Sequence, residues 1–80
     1  MAVFRFLGRL SDIQGLQDTL TVPKHISTVK ALRRWLNGIY ETDQLTCASV
    51  RVVVNDVIVT DSQSVTDTDD IAFFPPVGGG

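Results

Sequence analysis

Ile71-Ala72-Phe73-Phe74-Pro75-Pro76-Val77-Gly78-Gly79-Gly80 runs from a short apolar strand through two prolines into bare glycines. Such an ending makes the α-carboxylate a candidate reactive group, because glycine has no side chain to block a narrow channel and tolerates unusual φ and ψ. Pro75 and Pro76 restrict φ and lack N–H donors, so they stop the strand and project the glycines away from it. A loose terminus without a role is the competing reading of the glycines taken alone.

Working outward, Val50 to Val54 and Val57 to Thr60 are two β-branched runs separated by Asn55-Asp56, a two-residue turn signal. Asp61 to Asp70 is polar and turn-rich, and residues 41–49 give no definable pattern. Upstream, Ser27 or Thr28 can cap a helix. Apolar residues recur after the cap at helical spacing, at Val29, Leu32, Trp35, Leu36 and Ile39, and Asn37-Gly38 reads as the start of the exit. An apolar stripe of this kind ordinarily packs inward. Val3 to Leu7, broken by Gly8, reads as a buried strand, and Leu16 to Val22 as its hairpin partner. Strands on both sides of one helix make the chain α+β.

The run Val54-Asn55-Asp56-Val57-Ile58-Val59, then Val65-Thr66-Asp67-Thr68-Asp69-Asp70 and the ending from Ile71 to Gly80, resembles the C-terminal half of the small, sulfur-carrying subunit of molybdopterin synthase. Phe4-Arg5-Phe6 with Gly8-Arg9-Leu10, and Ser27-Thr28-Val29-Lys30-Ala31-Leu32-Arg33-Arg34-Trp35-Leu36, are similar to that family's first strand and its helix. Gly78 and Asp70 depart from its usual residues.

The resemblance implies a single ubiquitin-like β-grasp domain, with a mixed sheet of about five strands packed on one main helix. The last strand would lie centrally beside the first. Residues 1–77 would form the domain and 78–80 a flexible, reactive tail. Gly80 would be adenylated by a ubiquitin-activating-enzyme-like adenylyltransferase using ATP, and then take sulfur from a donor protein as a thiocarboxylate. Gly78 and Gly79 would thread into the large subunit of a heterotetrameric synthase, where the sulfur passes to cyclic pyranopterin monophosphate. Phe73, Phe74, Pro75, Pro76 and Val77 would form the partner-binding surface. In this reading the chain is a sulfur-donating subunit without an active site, metal or stably bound cofactor of its own. Sulfur carriers of thiamine synthesis or tRNA thiolation, and a ubiquitin-like conjugating modifier or interaction module, are the alternatives.

Composition narrows the classes. Eighty residues allow one core, and a chain of this size buries about 60% of its unfolded surface. One cysteine can form no internal disulfide, which fits a reducing compartment. The N-terminus lacks a signal-peptide pattern, and no apolar run approaches the roughly 20 residues of a membrane span, so a cytoplasmic protein is expected. The net charge of −2 disfavours nucleic acid as a partner.

The remaining candidates read as structural. His25, the single histidine, suits a loop or surface position better than a general base, which needs an oriented partner. Cys47 reads as an inert, partly buried residue rather than a reactive thiol. Asp67, Asp69 and Asp70 read as a solvated turn, since the remaining ligands of a calcium loop are missing. Strand alternation sends Phe73 and Phe74 to opposite faces, without deciding which one points outward. Arg5, Arg9 and Arg51 could add polar rim contacts to the partner-binding surface, although exposed arginines are ordinarily just solvated, and none is singled out.

Overall fold

A computed structural model describes residues 1–76. In chain order its elements are β1 (Ala2–Phe6), a 3₁₀ turn (Gly8–Leu10), α1 (Ser11–Gln14), β2 (Gln17–Leu20), α2 (Val29–Tyr40), a second 3₁₀ turn (Gln44–Thr46), β3 (Arg51–Val54), β4 (Val57–Val59) and β5 (Asp70–Phe74). The sheet order is β2-β1-β5-β3-β4. β1 and β5, from opposite ends of the chain, pair in parallel with Phe4 opposite Ile71 and Phe6 opposite Phe73, while every other pairing is antiparallel. This is the mixed β-grasp sheet expected from the resemblance, with the last strand at its centre.

Period-two alternation assigns the two faces of the sheet. Ala2, Phe4 and Phe6 from β1, Ile71 and Phe73 from β5, and Val52 and Val54 from β3 are buried under α2, which contributes Val29, Leu32 and Leu36. Phe6 stacks on Phe73 with ring centroids 5.7 Å apart and meets Tyr40 edge-on at 5.6 Å. The Tyr40 hydroxyl donates to Asp18 Oδ2 at 2.7 Å. Burial first, and then that carboxylate, push the phenol above its ordinary range.

α2 begins as its sequence suggests. The Thr28 hydroxyl accepts from the Ala31 N–H at 3.2 Å, satisfying a donor that the helix itself leaves unpaired. Its end differs from the expectation. The helix passes through Asn37-Gly38 to Tyr40 and stops at Glu41 in the left-handed region, φ 53°. Asn37 has another task, since its amide donates to Thr46 Oγ1 at 3.0 Å and accepts from the Leu45 N–H at 3.1 Å. The unassigned stretch 41–49 is therefore fastened to the helix, and Leu45 is fully buried within it.

The apolar stripe is also displaced. Ile39 is exposed, and Arg33 occupies the inward position in its stead. Helical rotation explains the exchange, because Arg33 lies about 40° around the axis from Val29 whereas Ile39 lies about 80° away on the other flank. Further along, Asn55 (φ 49°) and Asp56 (φ 70°) form the β3–β4 turn, with both central residues left-handed, as a two-residue type I′ hairpin requires. No helix among the described residues is long and apolar enough to cross a membrane.

Candidate functional site

β5 carries the candidate site because it runs down the middle of the sheet and ends at the two prolines. Held between β1 and β3, its last residues have little freedom to drift. Phe73 is 0% exposed and stacked in the core, whereas Phe74 is 40% exposed on the open face. The expectation that both belong to a partner surface is therefore corrected for Phe73, since strand alternation commits it to the core. Phe74, Pro75 and Pro76 remain accessible in whole or in part. Val77, Gly78, Gly79 and Gly80, and with them the boundary drawn at residue 77, lie outside the described residues.

The open face around Phe74 is a set of apolar residues edged by charge, with Arg51 opposite Phe74 itself. Leu7, Val53, Ala72 and Phe74 line a shallow groove of about 430 Å³ with Arg5, Asp56 and Asp70. Ile58, 72% exposed, sits opposite Val53 in the β3–β4 register. A contiguous exposed apolar surface of this kind is characteristic of interaction sites. Arg5 closes one end with a two-pronged contact to Asp70, Nε to Oδ1 and Nη2 to Oδ2, both 3.0 Å. That hydrogen bond raises the guanidinium pKa above its ordinary value. The pair lies at the surface, so it orients the rim more than it stabilises the fold.

Gly8 determines where the chain leaves the sheet. Its φ is +57°, and a Cβ built there would stand 2.9 Å from Pro75 Cγ, closer than real contacts allow. The adjoining Leu7 N–H donates to the Phe73 carbonyl at 3.1 Å, continuing the parallel ladder beyond β1. In the sequence Gly8 is a strand breaker; in the fold it is also the seat of Pro75. Gly8→Ala is expected to destabilise the fold by about 1–2 kcal/mol through the left-handed backbone alone, and also to displace Pro75. Urea unfolding, together with amide chemical shifts at residues 72–76, checks both effects. An unchanged midpoint with unmoved shifts would refute the seat.

Beyond Pro75, a smaller cleft of about 230 Å³ holds Pro76 among Arg9, Leu10, Gln44, Cys47 and Val50. Cys47 is exposed rather than partly buried. Its sulfur lies 3.0 Å from Ser49 Oγ, and this hydrogen bond is the main cause of a thiol pKa below the ordinary value. His25 is on the surface, as expected.

The three aspartates do more than face solvent. Asp67 Oδ1 accepts from the Val22 N–H at 2.7 Å, and this bond is the first cause holding its carboxyl below the usual range. Asp69 accepts from the Thr66 N–H at 2.8 Å and from the Asn55 amide at 3.0 Å, and Asn55 in turn accepts from the Asp70 N–H at 2.9 Å. These bonds brace the loop that feeds β5. No sequence signal separates such braces from solvated turn residues, because most of their partners are distant in the chain.

Comparison with known proteins bears on the fold and on the lineage. Residues 4–80 match the sequence profile of the ThiS family. The chain is 32% identical over 79 residues to the molybdopterin synthase sulfur carrier subunit of Escherichia coli (strain K12), with 94% of each chain covered. Among solved structures, SAMP1 from Haloferax volcanii superposes with a TM-score of 0.78 at 18% identity, covering 99% of this chain and 98% of its own. A protein of Pyrococcus furiosus described as a putative molybdopterin converting factor, subunit 1, superposes with a TM-score of 0.75 at 20% identity, covering 95% and 97%. The two structures speak to the fold. The sequence matches speak to lineage.

Proposed function

This chain belongs to the ThiS family, and from that premise we propose that it is the sulfur-carrying small subunit of a molybdopterin synthase, working in the cytoplasm through the carboxylate of Gly80. The observation that carries the reading is the placement of β5 at the sheet centre, delivering Phe74-Pro75-Pro76 to the surface directly ahead of Val77-Gly78-Gly79-Gly80. The name of the Escherichia coli relative supports the choice of pathway.

The chemistry stems from what a carboxylate lacks. Ionised at neutral pH, it is a poor electrophile, so a ubiquitin-activating-enzyme-like adenylyltransferase first joins it to AMP from ATP, releasing pyrophosphate. A sulfide equivalent from a donor protein then attacks the acyl carbon and expels AMP, leaving a thiocarboxylate. The tail enters the large subunit, with Gly78 and Gly79 passing a narrow channel where side chains would clash. There the thiocarboxylate sulfur displaces an oxygen substituent from a carbon of cyclic pyranopterin monophosphate, giving a thioester between carrier and pterin. Water then cleaves the acyl–sulfur bond, leaving the sulfur on the pterin and returning the carrier to its carboxylate. A dithiolene needs two such deliveries. The acid–base groups belong to the large subunit, and the carrier holds no cofactor. Phe74, Pro75, Pro76 and Val77 dock the carrier, with Leu7, Val53 and Ile58 extending the patch.

Intact-mass spectrometry after incubation with ATP, a sulfur donor and the adenylyltransferase tests this, with fragmentation to place an oxygen-to-sulfur exchange on Gly80. Deleting Gly80, or adding a residue after it, is expected to abolish sulfur transfer while leaving the fold intact. Phe74→Ala is expected to weaken large-subunit binding without disturbing the fold. Full transfer by either tail variant would sink the proposal, and high-mass adducts on lysines would point to a conjugating modifier.

A further inference from the structure

The second surface of interest is on the opposite side of the molecule. From Thr19 to Tyr40 the chain contains no Asp or Glu, yet it holds Lys24, Lys30, Arg33 and Arg34, four of the seven basic residues; all nine acidic residues lie elsewhere. Folding sets two of these basic residues, Lys30 and Arg34, on the outward side of α2, where Asp61 lines an adjoining cleft with both. Ile26, Thr28, Lys30, Ala31, Arg34 and Trp35 enclose an open groove of about 460 Å³. Arg33 is turned inward and paired with Asp61 at 3.0 Å. Among the described residues, Lys30 and Arg34 are in no ion pair. Trp35 is partly buried against the core and also lines the groove.

We infer that this groove is a docking site for a short acidic segment of a partner protein, in which an aliphatic or aromatic side chain seats against Ile26 and Trp35 and flanking carboxylates meet Lys30 and Arg34. Trp and Arg are the residue types in which binding energy concentrates at protein interfaces. Two cations beside an apolar floor suit a short peptide. A nucleic acid is disfavoured, because phosphate backbones are held by many cations and this chain carries a net charge of −2. The groove faces away from the sheet, so its occupant leaves Phe74 and the chain exit free. A partner docked here can hold the carrier while its C-terminal end is in use elsewhere, and the inference does not depend on what that end does.

Trp35 is the only tryptophan, so its fluorescence reports on the groove directly. The probe is a synthetic peptide with leucine between glutamates, titrated into the full-length chain. The expected result is a saturable fluorescence change that weakens with added salt, with amide shifts confined to the outward side of α2. Lys30→Glu combined with Arg34→Glu is expected to lower the affinity by at least about tenfold. Both positions are exposed, and a Lys30→Gln, Arg34→Gln pair provides a gentler variant should charge reversal perturb folding. The inference is overturned by no saturable change, by equal binding of the matching glutamine peptide, by binding that survives either double variant, or by tighter binding of oligouridylate than of the acidic peptide.

Discussion

Phe73→Ala is expected to destabilise the protein by about 3–5 kcal/mol, the usual cost of truncating a buried phenylalanine, while Phe74→Ala should cost less than about 1 kcal/mol, as exposed sites do. The two residues are adjacent and identical, so only their environment separates them. Phe73 is fully buried, stacks on Phe6, and lies opposite Phe6 on β1 and Val52 on β3. Removing its ring opens a cavity at the junction of three strands and the helix. Phe74 pairs with Arg51 across the strand and faces outward. Urea midpoints with unchanged slopes measure the difference. The reverse order of costs would mean that β5 is offset by one residue, because a single slip exchanges the two faces of a strand. That outcome would also remove Phe74 from the docking surface.

Arg33→Ala is expected to cost about 3 kcal/mol, the lower end for breaking a buried charged network. Arg33 is only 8% exposed. Its Nη1 donates to the carbonyls of Leu45 at 3.0 Å and Cys47 at 3.1 Å, and its Nη2 to that of Val50 at 2.8 Å. Nε lies 3.0 Å from Asp61 Oδ1, an ion-pair contact whose angle falls outside hydrogen-bond geometry. The Asp61 side chain is 53% exposed, so the three carbonyls carry most of the effect. Arg33→Lys should recover only part of the loss, because an ammonium cannot present the planar fork that spans those carbonyls. A domain of this size loses roughly 4–8 °C of midpoint per kcal/mol, so thermal unfolding should show a fall of more than about 12 °C. Faster hydrogen exchange at residues 44–50 should accompany it. A midpoint within a few degrees of the parent would mean that the stretch holds itself in place.

The difference between these residues bears on how much a chain reveals before it folds. Phe73 and Phe74 are both legible as strand residues and as a pair split between two faces, but nothing local chooses the inward one. The choice comes from the register of β5 against β1 and β3, strands whose partner residues lie far from it in the chain. Arg33 looks in the sequence like one of several charges on a helix, since a buried arginine and a solvated one have the same sequence appearance. Its carbonyl partners lie in or next to the stretch that has no pattern of its own. Gly8 is similar: a glycine after a strand announces a break, whereas its contact with Pro75 joins opposite ends of the chain. Cys47 goes the other way, to the surface, because Arg33 and Leu45 rather than the thiol anchor its loop.

The sequence by itself determined the local features. These were the five strand segments, the capped helix, the Asn55-Asp56 turn and a strand ending in two prolines and three glycines. Each depends on propensities and periodicities acting over a few residues. Tertiary structure alone decided that Phe74 faces out, that Arg33 is buried, that Gly8 seats Pro75 and that Lys30 and Arg34 share a groove with Trp35. Those outcomes depend on strand register and on contacts between distant segments, whose energies exist only once the sheet and helix have met.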